Sequence, residues 1–338
     1  MSKPTLKYYS FSAILSRNAV YNFVIGARGL GKTYGAKKKA IQDYLRKGDQ
    51  FIYLRRYSTE LKSALPTLFA DIAHEFPNVT FKVQGGELHV KRGEGKEFKW
   101  ELMGYGVALS KAQQKKSVSY PNVKTIIFDE FIIDRGAIHY MPEEAKAFND
   151  FYSTVDRWKD KTRVLFLANS VSIMNPYFIE YDIRPKNDEQ WIVKGDGFLC
   201  CHLAPSAEFA TGVYQTRFGS FIAGTEYADY SVNSEFSDNN DSMIEPKNPN
   251  AKYYVTLETK NGTFAIWIDY SVPYFYIQDK RPKQETIWTM MPERMTENKT
   301  LVTYSDKMIQ NLRSGFSRGR MSFNSPQARN SFTGVFKR

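Results

Sequence analysis

One octapeptide constrains this chain more than any other feature: Gly26-Ala27-Arg28-Gly29-Leu30-Gly31-Lys32-Thr33. It fits G-x-x-x-x-G-K-[ST], a loop whose glycines let successive backbone N–H groups turn inward around phosphate oxygens. The apolar run at 21–25 reads as a strand leading into it. Residues 33–45 read as a helix leading out, with Ala36, Ala40, Ile41 and Tyr44 recurring at three- and four-residue steps. That helix must offer its N-terminus to the anion, and the strand before it must lie inside a sheet. In this reading all eight residues, Gly26, Ala27, Arg28, Gly29, Leu30, Gly31, Lys32 and Thr33, cradle the nucleotide. Lys32 neutralises the β- and γ-phosphates and Thr33 puts its hydroxyl on Mg²⁺.

The same alternation continues to residue 196. Strands are expected at 51–54, 123–128 and 164–168, helices at 61–75 and 143–158, and a β-meander at 81–103. Strands alternating with helices give a mostly parallel sheet covered on both faces, so the fold class is α/β. The pattern changes near Cys200, where 205–224 reads as a lid or linker. Beyond it, 253–258, 263–269 and 274–278 form an antiparallel meander turned at Asn261-Gly262 and Pro273, and 293–312 is a late helix.

The 123–128 strand ends in Asp129-Glu130. An acid pair at the tip of a buried strand, downstream of a phosphate loop, suits metal-dependent hydrolysis. Asp129 is the candidate for Mg²⁺ and Glu130 for polarising the attacking water. The next strand ends at Asn169, an amide placed to contact the γ-phosphate or that water, or merely to cap a turn. No guanine-reading Asn-Lys-x-Asp lies in this half of the chain, which favours ATP. Arg157, Lys159, Lys161 and Arg163 lie between the 143–158 helix and the Asn169 strand. Arg55 and Arg56, and Lys111, Lys115 and Lys116, are further cations that phosphates of ATP or DNA can use.

Charge sets the partner class. The 338 residues carry 47 Lys and Arg against 36 Asp and Glu, a net of +11, which favours a polyanion. The excess is uneven. Residues 1–200 carry 31 basic and 22 acidic side chains, 201–310 carry 10 and 14, and 311–338 carry 6 and none. The last stretch, rich in Ser, Gly and Asn, reads as a flexible basic tail. The two cysteines are adjacent, which excludes a disulfide-built scaffold, and no apolar run is long enough to span a membrane.

The strings NFVIGARGLGKT, QFIYLRRY, YPNVKTIIFDEF, NPYF and GTEY, together with the meander around Trp267-Ile268-Asp269, resemble the DNA-packaging ATPase (encapsidation protein) of small phi29-like bacteriophages. The likeness covers most of the chain in the same order. It implies a P-loop ATPase domain of the additional-strand, catalytic-glutamate class and a second α+β domain resembling a vestigial RNase H-type nuclease. The expected boundaries are 1–198 for the ATPase, 199–227 for a linker or lid, 228–312 for the nuclease-like domain and 313–338 for the tail. The implied activity is ATP-driven translocation of double-stranded DNA into a procapsid. It implies a homopentameric ring on the portal (connector) protein in the host bacterial cytoplasm, with a packaging RNA as a further candidate partner. By motif, Arg157 in Thr154-Val155-Asp156-Arg157 stands where the family has a trans-acting arginine, and Lys116 before Tyr120-Pro121-Asn122 is a second trans candidate. Asp156 replaces an aromatic of that pattern and can pair with Arg157 between firing events. From the residues alone, a helicase or recombination-type ATPase and a slow nucleotide switch remain alternatives.

Three smaller groups remain. Glu258, Asp269 and Asp279 are candidate nuclease remnants but read better as solvated carboxylates. Cys200-Cys201-His202 lacks a second ligand pair for zinc. The hairpin tip at 91–96 is a candidate contact to DNA backbone or a solvated turn.

Overall fold

The computed structural model describes residues 6–93, 99–115, 118–133, 140–141, 143–172, 175–183, 185, 190–234, 236, 243–282 and 286–336. Its helices are α1 (Ser12–Leu15), α2 (Lys32–Lys47), α3 (Ser58–Ala64), α4 (Glu144–Asp156), α5 (Pro176–Glu180), α6 (Ala207–Tyr214), α7 (Arg217–Ile222), α8 (Glu226–Ser231), α9 (Lys307–Ser317) and α10 (Pro326–Phe332). The chain divides into two compact units. The first comprises Met1–Gly136, Met141–Ser172 and Arg184–Phe236, and the second comprises Ala137–Tyr140, Ile173–Ile183 and Ser237–Arg338.

The first unit is built on nine strands: β1 (Tyr21–Gly26), β2 (Gln50–Arg55), β3 (Val79–Gln84), β4 (Glu87–Arg92), β5 (Glu101–Ala108), β6 (Val123–Asp129), β7 (Arg163–Asn169), β8 (Trp191–Lys194) and β9 (Leu199–Leu203). They lie in the order β3-β4-β5-β2-β6-β7-β1-β9-β8. The six from β5 to β9 are parallel, while β3, β4 and β8 are antiparallel additions at the edges. The central strands are apolar along nearly their whole length because helices cover both faces. Alternation then sorts side chains. Val24, Ile127, Leu165 and Leu167 join Ala36, Ala40 and Ile41 of α2 in one core. On the other face the Phe23 and Phe166 rings stack at 4.1 Å, and Phe148 of α4 packs on Phe166 and Phe128. Strand β5 approaches β2 so closely that a Cβ at Gly104 would fall 2.2 Å from the Phe51 carbonyl oxygen.

This topology corrects the expected boundaries. Residues 199–203, assigned to a linker, form β9, which pairs with β1 and belongs to the first sheet. Residues 205–224 are largely helical, as α6 and α7, because Ala, Phe, Val and Ile there bury one face. The expected 61–75 helix ends at Ala64 and continues as short 3₁₀ turns, Pro66 preventing a regular α-helix.

The second unit contains β10 (Lys252–Thr259), β11 (Gly262–Asp269), β12 (Tyr274–Gln278), β13 (Ile287–Thr289), β14 (Lys299–Leu301) and β15 (Met321–Phe323), ordered β14-β13-β10-β11-β12-β15. The β10–β11–β12 meander is antiparallel, whereas β13 runs parallel to β10 and β14 parallel to β13. The expected flexible tail is folded. Phe316, Met321, Phe323, Phe332 and Phe336 are all buried in this unit's core. Basic side chains suggested a solvated segment, but the aromatics between them recur at spacings that α9, β15 and α10 turn inward. The late helix correspondingly starts at Lys307, not at 293. No helix among the described residues is long and apolar enough to cross a membrane.

Candidate active site

Four neighbouring strands, β2, β6, β7 and β1, deliver their C-terminal ends side by side, the usual place for a ligand in an open parallel sheet. Those ends carry Arg55, Asp129-Glu130, Asn169 and the phosphate loop. Gly26 and Asn169 are partners in the β1–β7 register, so the loop's first residue and the amide start from one level.

The loop turns through two left-handed glycines, Gly29 (φ 79°) and Gly31 (φ 82°), a conformation side chains disfavour. Gly31 caps α2, aiming its first amides into the loop. Ala27 and Leu30 are buried against Ala204 and Phe209, so they serve the cradle through backbone alone. The Phe209 ring lies on Gly29, and the Arg28 amide donates to the Ser231 carbonyl at 2.8 Å. The 206–231 segment is thereby fastened to the loop it follows by nearly 200 residues.

Lys32 is buried and donates to Gly26 O (3.0 Å), Ala27 O (2.7 Å) and Asn169 Oδ1 (3.1 Å). Burial lowers its pKa to about 8, against the opposing pull of Asp129. The Thr33 hydroxyl donates to Asp129 Oδ1 at 2.8 Å. The other Asp129 oxygen accepts from the Tyr53 hydroxyl at 2.8 Å and from Arg55 at 3.4 Å. Burial, then Asp129, pushes the Tyr53 phenol well above its ordinary value, so it acts only as a donor. Arg55 also holds Glu130 Oε2 and approaches Glu60 at 3.5 Å, while its buried Nε has no hydrogen-bond partner among the described residues. Burial opposes the Arg55 charge, yet Glu130, Tyr53, Asp129 and Glu60 together raise its pKa.

The sequence therefore placed Lys32, Thr33, Asp129, Glu130 and Asn169 in one site. It missed Tyr53, whose signal is its i, i+2 spacing from Arg55 on β2. Arg56 is not available to phosphates. It is fully buried with Glu144, donating from Nε at 2.8 and 2.9 Å, and its other nitrogens hold the carbonyls of Glu130 and Phe131. Glu144 is thus more than an acid in a helix's first turn.

Arg157 lies at the C-terminus of α4, exposed and without hydrogen bond or ion pair to its side chain among the described residues. Asp156 is not its partner in this structure. Asp156 is buried and spends both oxygens on backbone amides, Oδ2 on Lys159 and Asp160 and Oδ1 on Lys161 and Thr162, all at 2.8–2.9 Å. Burial opposes the Asp156 charge, but the four amides outweigh it and hold the carboxyl below its ordinary pKa. They offset the left-handed backbone of Arg157, Trp158 and Asp160, which costs roughly 1–2 kcal/mol per residue. Lys116 lies outside the described residues, as do 94–96 of the hairpin tip. Beside that tip, Lys82 and Lys91 lie over the Trp100 ring.

The remaining candidates separate. Cys200, Cys201 and His202 occupy successive positions of β9 and face alternate sides, and the His202 ring stacks on Trp191 at 3.7 Å. In the second unit, Glu258 and Asp269 are buried rather than solvated: Glu258 pairs with Lys299 at 2.7 Å, and Asp269 accepts from Asn248 and Ser271. Asp279 bonds Asn324 and Ser325. Among the described residues no cluster of His, Cys, Asp and Glu is arranged to bind a metal.

A parallel sheet with a glycine-rich loop after β1, a buried lysine and an acid pair on β6 defines a P-loop ATPase. The whole chain, residues 2–338, matches the family of Podovirus DNA encapsidation proteins (Gp16), and the protein belongs to that family. It is 35% identical to the DNA packaging protein of Bacillus phage B103, covering 96% of this chain and 99% of that one. Among solved structures it resembles the bacteriophage phi29 genome packaging motor assembly (TM-score 0.62, 32% identity, 98% of both chains). It also resembles the N-terminal domain of the phi29 DNA packaging ATPase (TM-score 0.53, 36% identity, 60% of this chain and 98% of that one).

Proposed function

We propose that this protein is an ATP-driven translocase that packages double-stranded phage DNA into a preformed procapsid. It acts as a homopentameric ring docked on the portal in the host cytoplasm, with a packaging RNA as a further partner. The observation that carries the reading is the convergence of Lys32, Thr33, Asp129, Glu130 and Asn169 at adjoining strand ends. Strand β7 lies between the loop strand β1 and the acid strand β6, which supports the additional-strand, catalytic-glutamate class. The β12-β11-β10-β13-β14 order, three antiparallel strands followed by two parallel ones, supports descent of the second unit from an RNase H-type nuclease. The ion pair of Glu258 with Lys299 agrees with loss of metal chemistry there.

The Thr33 hydroxyl and Asp129 carboxylate are adjacent hard oxygen donors and suit Mg²⁺, which when bound there neutralises phosphate charge. Lys32 turns its ammonium from the loop carbonyls to the β- and γ-phosphates. Glu130, whose side chain is 61% exposed, orients the attacking water and accepts its proton. Arg55 competes for that carboxylate, so hydrolysis requires the Arg55–Glu130 pair to open. Asn169, bonded to Lys32, registers the change at the γ-phosphate. Arg157 acts on the site of an adjacent copy, where such an arginine contributes ~10³–10⁵ in rate.

ATP turnover stimulated by duplex DNA or portal-bearing procapsids, and abolished by Lys32→Ala or Glu130→Ala, is the expected result. Separation of the strands of a forked duplex would instead identify a helicase. Arg157→Ala copies mixed with Lys32→Ala copies should recover part of the activity. Failure at every ratio refutes action in trans.

A further inference from the structure

We propose that the turn at 157–162 is the contact by which one copy of this chain docks on a second copy, with Trp158 as its anchor and the exposed aromatic pair of α7, Phe218 and Phe221, as its receiver. The inference rests on the reading of Arg157 as a residue that serves a neighbour's site.

Trp158 is 89% exposed, more than any other large apolar side chain described. A tryptophan so exposed leaves a large apolar surface in water, and Trp and Arg side by side are the residue types that dominate interface energetics. The turn is also rigid in advance. Asp156, buried beneath it, binds four consecutive amides, and Arg157 and Trp158 hold a left-handed backbone that only such a clamp retains. A contact that needs no ordering on binding keeps its full affinity. Asp156 is thus a positioning residue for both side chains.

The receiver follows from the chain's own surface. Phe218 (61% exposed) and Phe221 (83%) stand three residues apart on one face of α7, with Tyr227 edge-on to Phe218. Their segment is fastened to the phosphate loop through Phe209 on Gly29 and the Ser231 carbonyl on the Arg28 amide. An Arg157 that reaches a neighbour's phosphates brings Trp158, the next residue, to the surroundings of that loop, and this segment forms them. Charge agrees: Arg157, Lys159 and Lys161 border the tryptophan, and the facing site carries the exposed Glu130 and, when loaded, a triphosphate. Two different surfaces meeting head to tail generate a ring when the rotation closes.

The test is cross-linking between full-length copies. Trp158→Cys chains are mixed with separately tagged Phe221→Cys chains, with ATP and Mg²⁺, and oxidised. Both native cysteines are buried. A mixed dimer should exceed either same-mutant dimer several-fold. Equal yields of all three pairs overturn the assignment. Trp158→Ala should raise the protein concentration needed for half-maximal ATPase by roughly tenfold or more while leaving the plateau within about twofold, whereas Asp156→Asn, which loosens Arg157 as well as Trp158, should raise that concentration and lower the plateau too. Arg157→Ala should instead lower the plateau itself, by up to the ~10³–10⁵ that such an arginine contributes. If Arg157→Ala leaves turnover intact while the cross-link forms, the trans-arginine reading fails and this interface stands. Trp158→Ala that weakens only duplex DNA binding assigns the turn to nucleic acid and overturns the proposal.

Discussion

Lys32 makes the phosphate loop a proton acceptor. Its ammonium is buried against carbonyls and has a pKa of about 8 instead of 10.5. A shift of that size disfavours the charged form by about 3 kcal/mol in the folded, nucleotide-free protein. The unfolded chain keeps the proton to about pH 10.5 and the folded chain releases it near pH 8, so stability without nucleotide rises with pH across that window. Phosphate oxygens reverse the penalty by supplying the missing negative charge. Binding must therefore draw a proton from solvent: close to none at pH 6.5, about half per site at pH 8 and about nine-tenths at pH 9. Titration calorimetry in buffers of differing ionisation enthalpy measures this uptake. Lys32→Arg, whose guanidinium stays charged throughout, should show none. A wild-type profile that is flat from pH 6.5 to 9, or equal to that of Lys32→Arg, would refute the assignment of this lysine as the group that meets the phosphates.

Four further outcomes follow from burial. Glu144→Gln removes one charge of a fully buried pair and should lower unfolding free energy by about 3–5 kcal/mol, read from the denaturant midpoint. Phe332→Ala should cost about 3–5 kcal/mol, and a chain ending at residue 312 should fail to fold its second unit, since it lacks Phe316, Phe323 and Phe332. The Asp156 carboxyl is held below its ordinary pKa, so its contribution is present above about pH 4 and is lost as pH falls through the lower folded value. Asp156→Asn should therefore flatten the acid limb of the stability curve and leave the neutral-to-alkaline limb parallel to wild type.

The site was largely legible because its parts are local. A strand ending in glycine, lysine and threonine, another ending in Asp129-Glu130 and a third ending in Asn169 must meet if the sheet is parallel, and β7 between β1 and β6 brings them together. What escaped was long-range and polar. Nothing near Arg56 in the sequence marks Glu144, 88 residues later, as its partner. Nothing near Asp156 shows that it faces the amides ahead of it rather than Arg157. The tail misled for another reason: six basic side chains outweighed aromatics that only tertiary packing makes visible. The 199–203 segment failed similarly, being too short to be read as a strand until β1 offered it an edge.

The Arg56–Glu144 pair carries a consequence for descent. Its side chains are 1% and 0% exposed, and Arg56 also holds the carbonyls that set the Glu130 turn. Either residue replaced alone strands a charge in the core, whereas both exchanged together for apolar groups can be nearly neutral. Drift through single steps is therefore closed to these positions. Across diverging relatives they are expected to covary as one inherited character, while neighbours such as Ser58 vary freely.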